Sequence, residues 1–186
     1  QQIWILVRTA SPRVPDGFTV VLKTNGDDTF QYSSPLWTDR STVLNEGSDP
    51  SSAGNAKYRK FNSQQLDAVM FCFGSLDNCL EPHAFAAPIS SAADLFDGQY
   101  REEGIDDTAL LEALRATDGG GPVGQQDCAM QRPGFNTQCS DGNRARWGYC
   151  NNVPTQDCQI EDYNDADGVI GIGIEGQDCC PAGAGW

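Results

Sequence analysis

Residues Glu161-Asp162-Tyr163-Asn164-Asp165-Ala166-Asp167-Gly168 place four carboxylates and an amide oxygen within eight positions, closed by a glycine that permits a sharp turn. Hard oxygen ligands at this density suit calcium. The segment is not an EF-hand: aligning Gly168 with the loop glycine puts Tyr163 at the first ligand position and Ile174 at the last, although Asp165 and Asp167 would still hold the third and fifth. An ordinary solvated acidic loop remains the alternative.

Other chemistry is poorly provided for. His83 is the only histidine and sits between Pro82 and Ala84-Phe85, a setting for a packed or surface ring. No Gly-x-Ser-x-Gly elbow occurs, and every cysteine has a plausible disulfide partner, so no nucleophile stands out. Carboxylate pairs of the glycosidase kind give no signal among 26 acidic residues. The expectation is a non-enzyme with no catalytic residues. Gly171-Ile172-Gly173-Ile174-Glu175-Gly176 matches the dinucleotide fingerprint but is followed by Gln177-Asp178-Cys179-Cys180-Pro181 and not by a helix that could hold pyrophosphate. It reads better as a strand whose glycines let something approach its backbone closely.

Eight cysteines in 186 residues, with no Cys-x-x-Cys, point to an oxidised, secreted, extracellular protein. Cys72 and Cys79, Cys128 and Cys139, and Cys150 and Cys158 are spaced for local disulfides, each contributing about 2–4 kcal/mol. Cys179 and Cys180 either bridge each other or reach separate partners, which would break one local pair. The length suits one domain that buries about 70% of its unfolded surface. Twelve basic against 26 acidic residues give a net charge of −14, which disfavours nucleic acid and anionic membranes as partners and suits calcium. No apolar run is long enough for a membrane span. Gln1-Gln2 reads as a processed N-terminus able to cyclise to pyroglutamate. The Ser/Pro stretches 33–35 and 48–52 read as loops, with O-linked sugar, hence a glycoprotein, as the alternative.

The elements that would carry these residues are mainly β with two short helices (α+β), in a disulfide-reinforced single domain with long loops. Ile3 to Val7 reads as a strand buried on both faces, Phe18 to Thr24 as a second, and Thr29 to Tyr32 as its return across an Asn25-Gly26 turn. Residues 46–55 read as a surface loop, Leu66 to Phe73 as a strong strand, and Arg144 to Cys150 and Val169 to Ile174 as later strands. Ser91 caps one short helix, and Asp106 or Asp107 caps another over Thr108 to Thr117.

Val20 to Asp27, Thr29 to Thr38, Arg144 to Cys150 and Asp167 to Gly173 together resemble separated segments of fibrinogen-related and intelectin-type (X-type lectin) domains. The resemblance implies a secreted, disulfide-bonded, often calcium-binding module used in carbohydrate recognition or adhesion. By that analogy Asp162, Asn164, Asp165 and Asp167 would hold calcium.

Two functions follow as expectations. The first is an extracellular structural subunit that self-associates into a homopolymeric filament or surface matrix. Residues 1–15 would form an N-terminal strand and Pro-containing linker, with Ile3, Trp4, Ile5, Leu6 and Val7 completing a neighbour's sheet, and residues 16–186 a fibrinogen/intelectin-like globular domain. The second is a calcium-dependent carbohydrate-binding lectin or adhesion domain in which Trp37, Tyr149 or Tyr163 stacks on sugar beside the acidic loop.

Overall fold

A computed structural model describes residues 2–8, 17–102, 134–138, 142–151 and 168–176. They group into two compact units: residues 1–25 with 34–97, and residues 26–33 with 98–186. Among the described residues the chain is mainly β with two short helices.

The first unit is built on a five-stranded sheet of order β3-β2-β1-β4-β5. Its strands are β1 (Ile3–Arg8), β2 (Phe18–Thr24), β3 (Ala56–Lys57), β4 (Leu66–Phe73) and β5 (His83–Ile89). β1 is the central strand, pairing antiparallel with β2 on one edge and β4 on the other, and it is apolar on both sides because both faces of the sheet carry packed side chains. Ile3, Trp4, Ile5, Leu6 and Val7 are all buried in this sheet. They are therefore already buried within one chain, and their apolarity does not by itself require a neighbour.

Register sets what each face carries. Ile5 lies opposite Leu22, and Leu22 opposite Lys57, so these share one face. There the helices α1 (Arg59–Ser63) and α2 (Ala92–Leu95) supply cover, with Trp37, Phe61 and Phe96 fully buried and their ring centroids 4.9–6.2 Å apart. Trp4 lies opposite Lys23 and Cys72 on the other face. A smaller cluster of Trp4, Leu6 and Cys72, flanked by Phe18, Val20, Met70 and Leu76, packs there. The Cys72–Cys79 disulfide closes the hairpin after β4. A β-bulge in β2 between these registers leaves Val21 unpaired with β1, and its carbonyl accepts instead from the Tyr58 N–H.

The second unit contains a four-stranded antiparallel sheet, β6-β7-β8-β9, made of Arg101–Glu102, Gly134–Gln138, Arg144–Asn151 and Gly168–Ile172. Of the fingerprint-like glycines, Gly171 falls on β9 and Gly173 and Gly176 just beyond it, with no helix following them in the described residues. Gly171 pairs with Gly148, and a Cβ on Gly171 would lie 2.0 Å from the Trp147 carbonyl oxygen, which is the close backbone approach the glycines suggested.

One expectation changes. Thr29 to Tyr32 is not a returning strand: Asp27 accepts from the Thr29 N–H and caps a 3-10 turn over Asp28–Phe30. Helix α1 carries no side-chain cap and gave no terminus signal, whereas α2 begins as expected at Ser91, whose side chain accepts from the Asp94 N–H. The helix expected over 108–117 lies outside the described residues.

Candidate functional site

A buried lysine near the end of an apolar strand needs oxygens within reach, and Lys23 on β2 finds three. Lys23 is only 1% exposed, and its ammonium donates to Asp49 O at 2.7 Å, Ser52 O at 2.8 Å and Ser52 Oγ at 2.9 Å. All three N–H bonds are thus used, and the loop 49–52 is tied to the sheet. Two side chains at the start of the chain add to this. Trp4 Nε1 donates to Pro50 O at 2.8 Å, while the Gln2 amide clasps Gly54, donating to its carbonyl at 3.0 Å and accepting from its N–H at 2.7 Å.

Within the loop, Asn45 stands at φ 49°, a left-handed conformation that asparagine tolerates better than most residues. Its Nδ2 donates to Asn55 O at 2.9 Å, and Asn55 Oδ1 accepts from the Asn25 N–H at 2.9 Å. Ser51 donates to Asp49 through its backbone N–H and its hydroxyl, and these bonds hold the Asp49 carboxyl below its ordinary range. The result is a pinned shelf with a shallow, open concavity of about 390 Å³, lined by Lys23, Asn45, Gly47, Ser48, Ala53, Gly54 and Asn55. Of these seven, only Lys23 is ionisable, and its donors are spent.

The opposite face of the sheet holds a second buried lysine. Lys57 Nζ donates to Asp39 O at 2.6 Å and lies 5.1 Å from the Phe61 ring centroid. Burial pushes its ammonium down to about 8, against the pull of the nearby Asp39 carboxylate. That carboxylate, held low by hydrogen bonds from Ser41 and Thr42, stays ionised throughout the range in question. The folded state therefore disfavours the Lys57 cation relative to the unfolded chain. Its cost is fully present below pH 8 and disappears as pH rises towards 10.5, the ordinary lysine value. Relative to Lys57→Met, the protein should gain roughly 1–3 kcal/mol of stability across that interval, from a shift worth about 1.4 kcal/mol per unit. Urea unfolding of both proteins from pH 7 to pH 10.5 measures this, and parallel curves would contradict it.

Among the described residues of the second unit, Arg146 and Arg144 are both engaged within the unit. The Arg146 guanidinium, 6% exposed, donates through Nε and Nη2 to Tyr32 O and through Nη1 to Asn136 Oδ1, and lies 4.2 Å from the Tyr32 ring centroid. Arg144 lies 4.7 Å from the same centroid and pairs with Glu175 at 2.8 Å. Burial raises the Glu175 carboxyl, but its bonds from Arg144 and Ser33 outweigh that and hold it low.

The residues expected to act fall differently. Trp37 is fully buried among Phe61 and Phe96, so it has no face for a sugar; a 3-10 turn capped by Ser34 turns it into the core. Tyr149 and Cys150 lie on β8, with side chains outside the described residues. Tyr163, the calcium candidates Asp162, Asn164, Asp165 and Asp167, and Cys128, Cys139, Cys158, Cys179 and Cys180 also lie outside them. Among the described residues no group of three or more His, Cys, Asp or Glu side chains could hold a metal ion. No helix among them is long and apolar enough to cross a membrane. The shelf over Lys23 was hidden in a stretch that reads as plain loop; its one sequence signal is a lysine inside Val20-Val21-Leu22-Lys23. No protein-family model matches the chain, and no curated protein or solved structure matches it either.

Proposed function

We propose that the protein is a secreted, non-enzymatic extracellular recognition module whose ligand is carbohydrate. The observation that carries this reading is the open concavity at residues 45–55, where Asn45 and Ser48 side chains stand on a loop pinned to the sheet by Gln2, Trp4 and Lys23 before any ligand arrives. Hydrogen-bonding groups held in place in advance reduce the ordering cost that binding must overcome. The segments resembling fibrinogen-related and intelectin-type domains support the same class of function. Binding of the full-length chain to an array of immobilised glycans tests it: retention on at least one glycan class is expected, and retention on none contradicts it.

The acidic segment 161–168 belongs to this reading as a calcium site with Asp162, Asn164, Asp165 and Asp167 as ligands. Calorimetric titration should give a calcium-binding heat for the wild type and at least about tenfold weaker binding for the Asp165→Ala, Asp167→Ala double variant, a loss of about 1.4 kcal/mol or more. Equal affinity in the two proteins would move the site elsewhere.

A second reading is a structural subunit that assembles by exchanging β1. Its support is the central place of β1, which is flanked by two strands that follow it in sequence. The same strand from a neighbouring copy would make the same ladder, and head-to-tail exchange does not close. Concentration-dependent oligomers in sedimentation would favour it; a monomer at every concentration would exclude it.

A further inference from the structure

We infer that the concavity over Lys23 takes an uncharged, hydroxyl-rich ligand, such as the end of a neutral glycan, without a metal ion. The inference rests on the carbohydrate reading above and adds the ligand class and the place.

Charge decides the class. An anionic sugar would need a cation with donors to spare, yet the lysine in the concavity has given all three to Asp49 and Ser52. The chain's net charge of −14 adds a general repulsion. A calcium-bridged sugar would need carboxylates, because calcium takes about 6–8 oxygen ligands and favours ionised ones. None of the seven lining residues supplies a carboxylate. What they offer is neutral: the Asn45 amide, with one N–H committed to Asn55 O; the Ser48 hydroxyl, which shares a hydrogen bond with Tyr58; and backbone at Gly47, the Gly54 N–H and carbonyl being committed to Gln2. Such groups match sugar hydroxyls, which both donate and accept.

Size and access agree. About 390 Å³ lies at the small end of the usual ligand-site range of about 300–1,000 Å³ and suits a glycan terminus better than an extended chain. A Cβ built on Gly47 or Gly54 meets nothing within 4 Å, so the backbone there faces open space that a ligand can enter.

The test is an array of neutral, sialylated and sulfated oligosaccharides probed in excess EDTA with four full-length proteins: wild type, Gly47→Leu, Asn45→Gly, and the Asp165→Ala, Asp167→Ala double variant. Gly47→Leu fills the concavity from an open position, and Asn45→Gly removes the amide while tolerating the left-handed backbone. Wild type and the acidic-loop variant should bind neutral oligosaccharides in EDTA, and both shelf variants should bind at least about tenfold more weakly with unchanged melting temperature. If Gly47→Leu lowers the melting temperature, Asn45→Gly reads the site alone. Neutral-glycan binding that survives Asn45→Gly, or that EDTA abolishes, overturns this inference and leaves the carbohydrate reading standing. Binding only to sialylated or sulfated oligosaccharides does the same. No binding to any glycan, with or without calcium, overturns both.

Discussion

Deleting residues 1–9 should unfold the first unit and not leave a stable domain with an open groove. β1 is the middle strand of five, so its loss separates β3-β2 from β4-β5 and strips the hydrogen-bond partners from the facing edges of β2 and β4. It also removes five buried apolar side chains, Ile3 to Val7. At about 1.5–3 kcal/mol each, their burial is comparable to the whole stability of a typical domain, about 5–15 kcal/mol. Circular dichroism and thermal melting of the truncated chain should show no cooperative transition for this unit. A synthetic peptide of residues 1–9 added in trans should restore one, because the ladder does not depend on covalent connection. A truncated chain that melts like the full-length protein would contradict the central position of β1. Rescue by peptide would also show that one copy's strand can serve another's sheet, the step that exchange-based assembly requires.

Trp37→Ala should cost about 3–5 kcal/mol, the range for removing a large buried aromatic side chain. Trp37 is fully buried, with Phe96 at 4.9 Å and Phe61 at 6.2 Å between ring centroids, so its loss empties the centre of the layer that covers the sheet. Urea unfolding against wild type measures the change. A loss below about 1 kcal/mol is the size expected of a surface substitution and would put Trp37 back among the side chains able to stack on sugar.

Of the nine strands among the described residues five were legible, β1, β2 and β4 because their apolar runs are long and cleanly bounded, whereas β3, β5, β6 and β7 were not read from the sequence. β2 and β4 span the expected residues, and β1, β8 and β9 differ from expectation only at their ends. Capping was legible at Ser91, where a hydroxyl three residues before an acidic partner signals a helix start, and absent at α1, where Tyr58 offers no cap. Thr29 to Tyr32 misled because Asn25-Gly26 resembles a hairpin turn, while Asp27 captures the following N–H and closes a tighter turn. The division into two units left no mark in composition: the chain leaves the first unit at Gly26 and rejoins it at Ser34 without a Pro- or Gly-rich linker. The shelf was hidden for a related reason. Ser, Gly, Asp and Pro announce a loop, but its rigidity comes from Gln2, Trp4 and Lys23, 26 to 52 residues away in sequence. Only the buried lysine hinted that some loop must come to the sheet and supply oxygens.

Residue-resolved amide NMR of the full-length chain, titrated with a neutral oligosaccharide in EDTA, tests most directly whether this pinned loop is the recognition surface. Shifts concentrated in the amides of residues 45–48 and 53–55, with those of β1 and β4 unmoved, are the predicted result. Shifts concentrated instead in residues 161–168 or around Tyr149, or no shifts at saturating sugar, would contradict it.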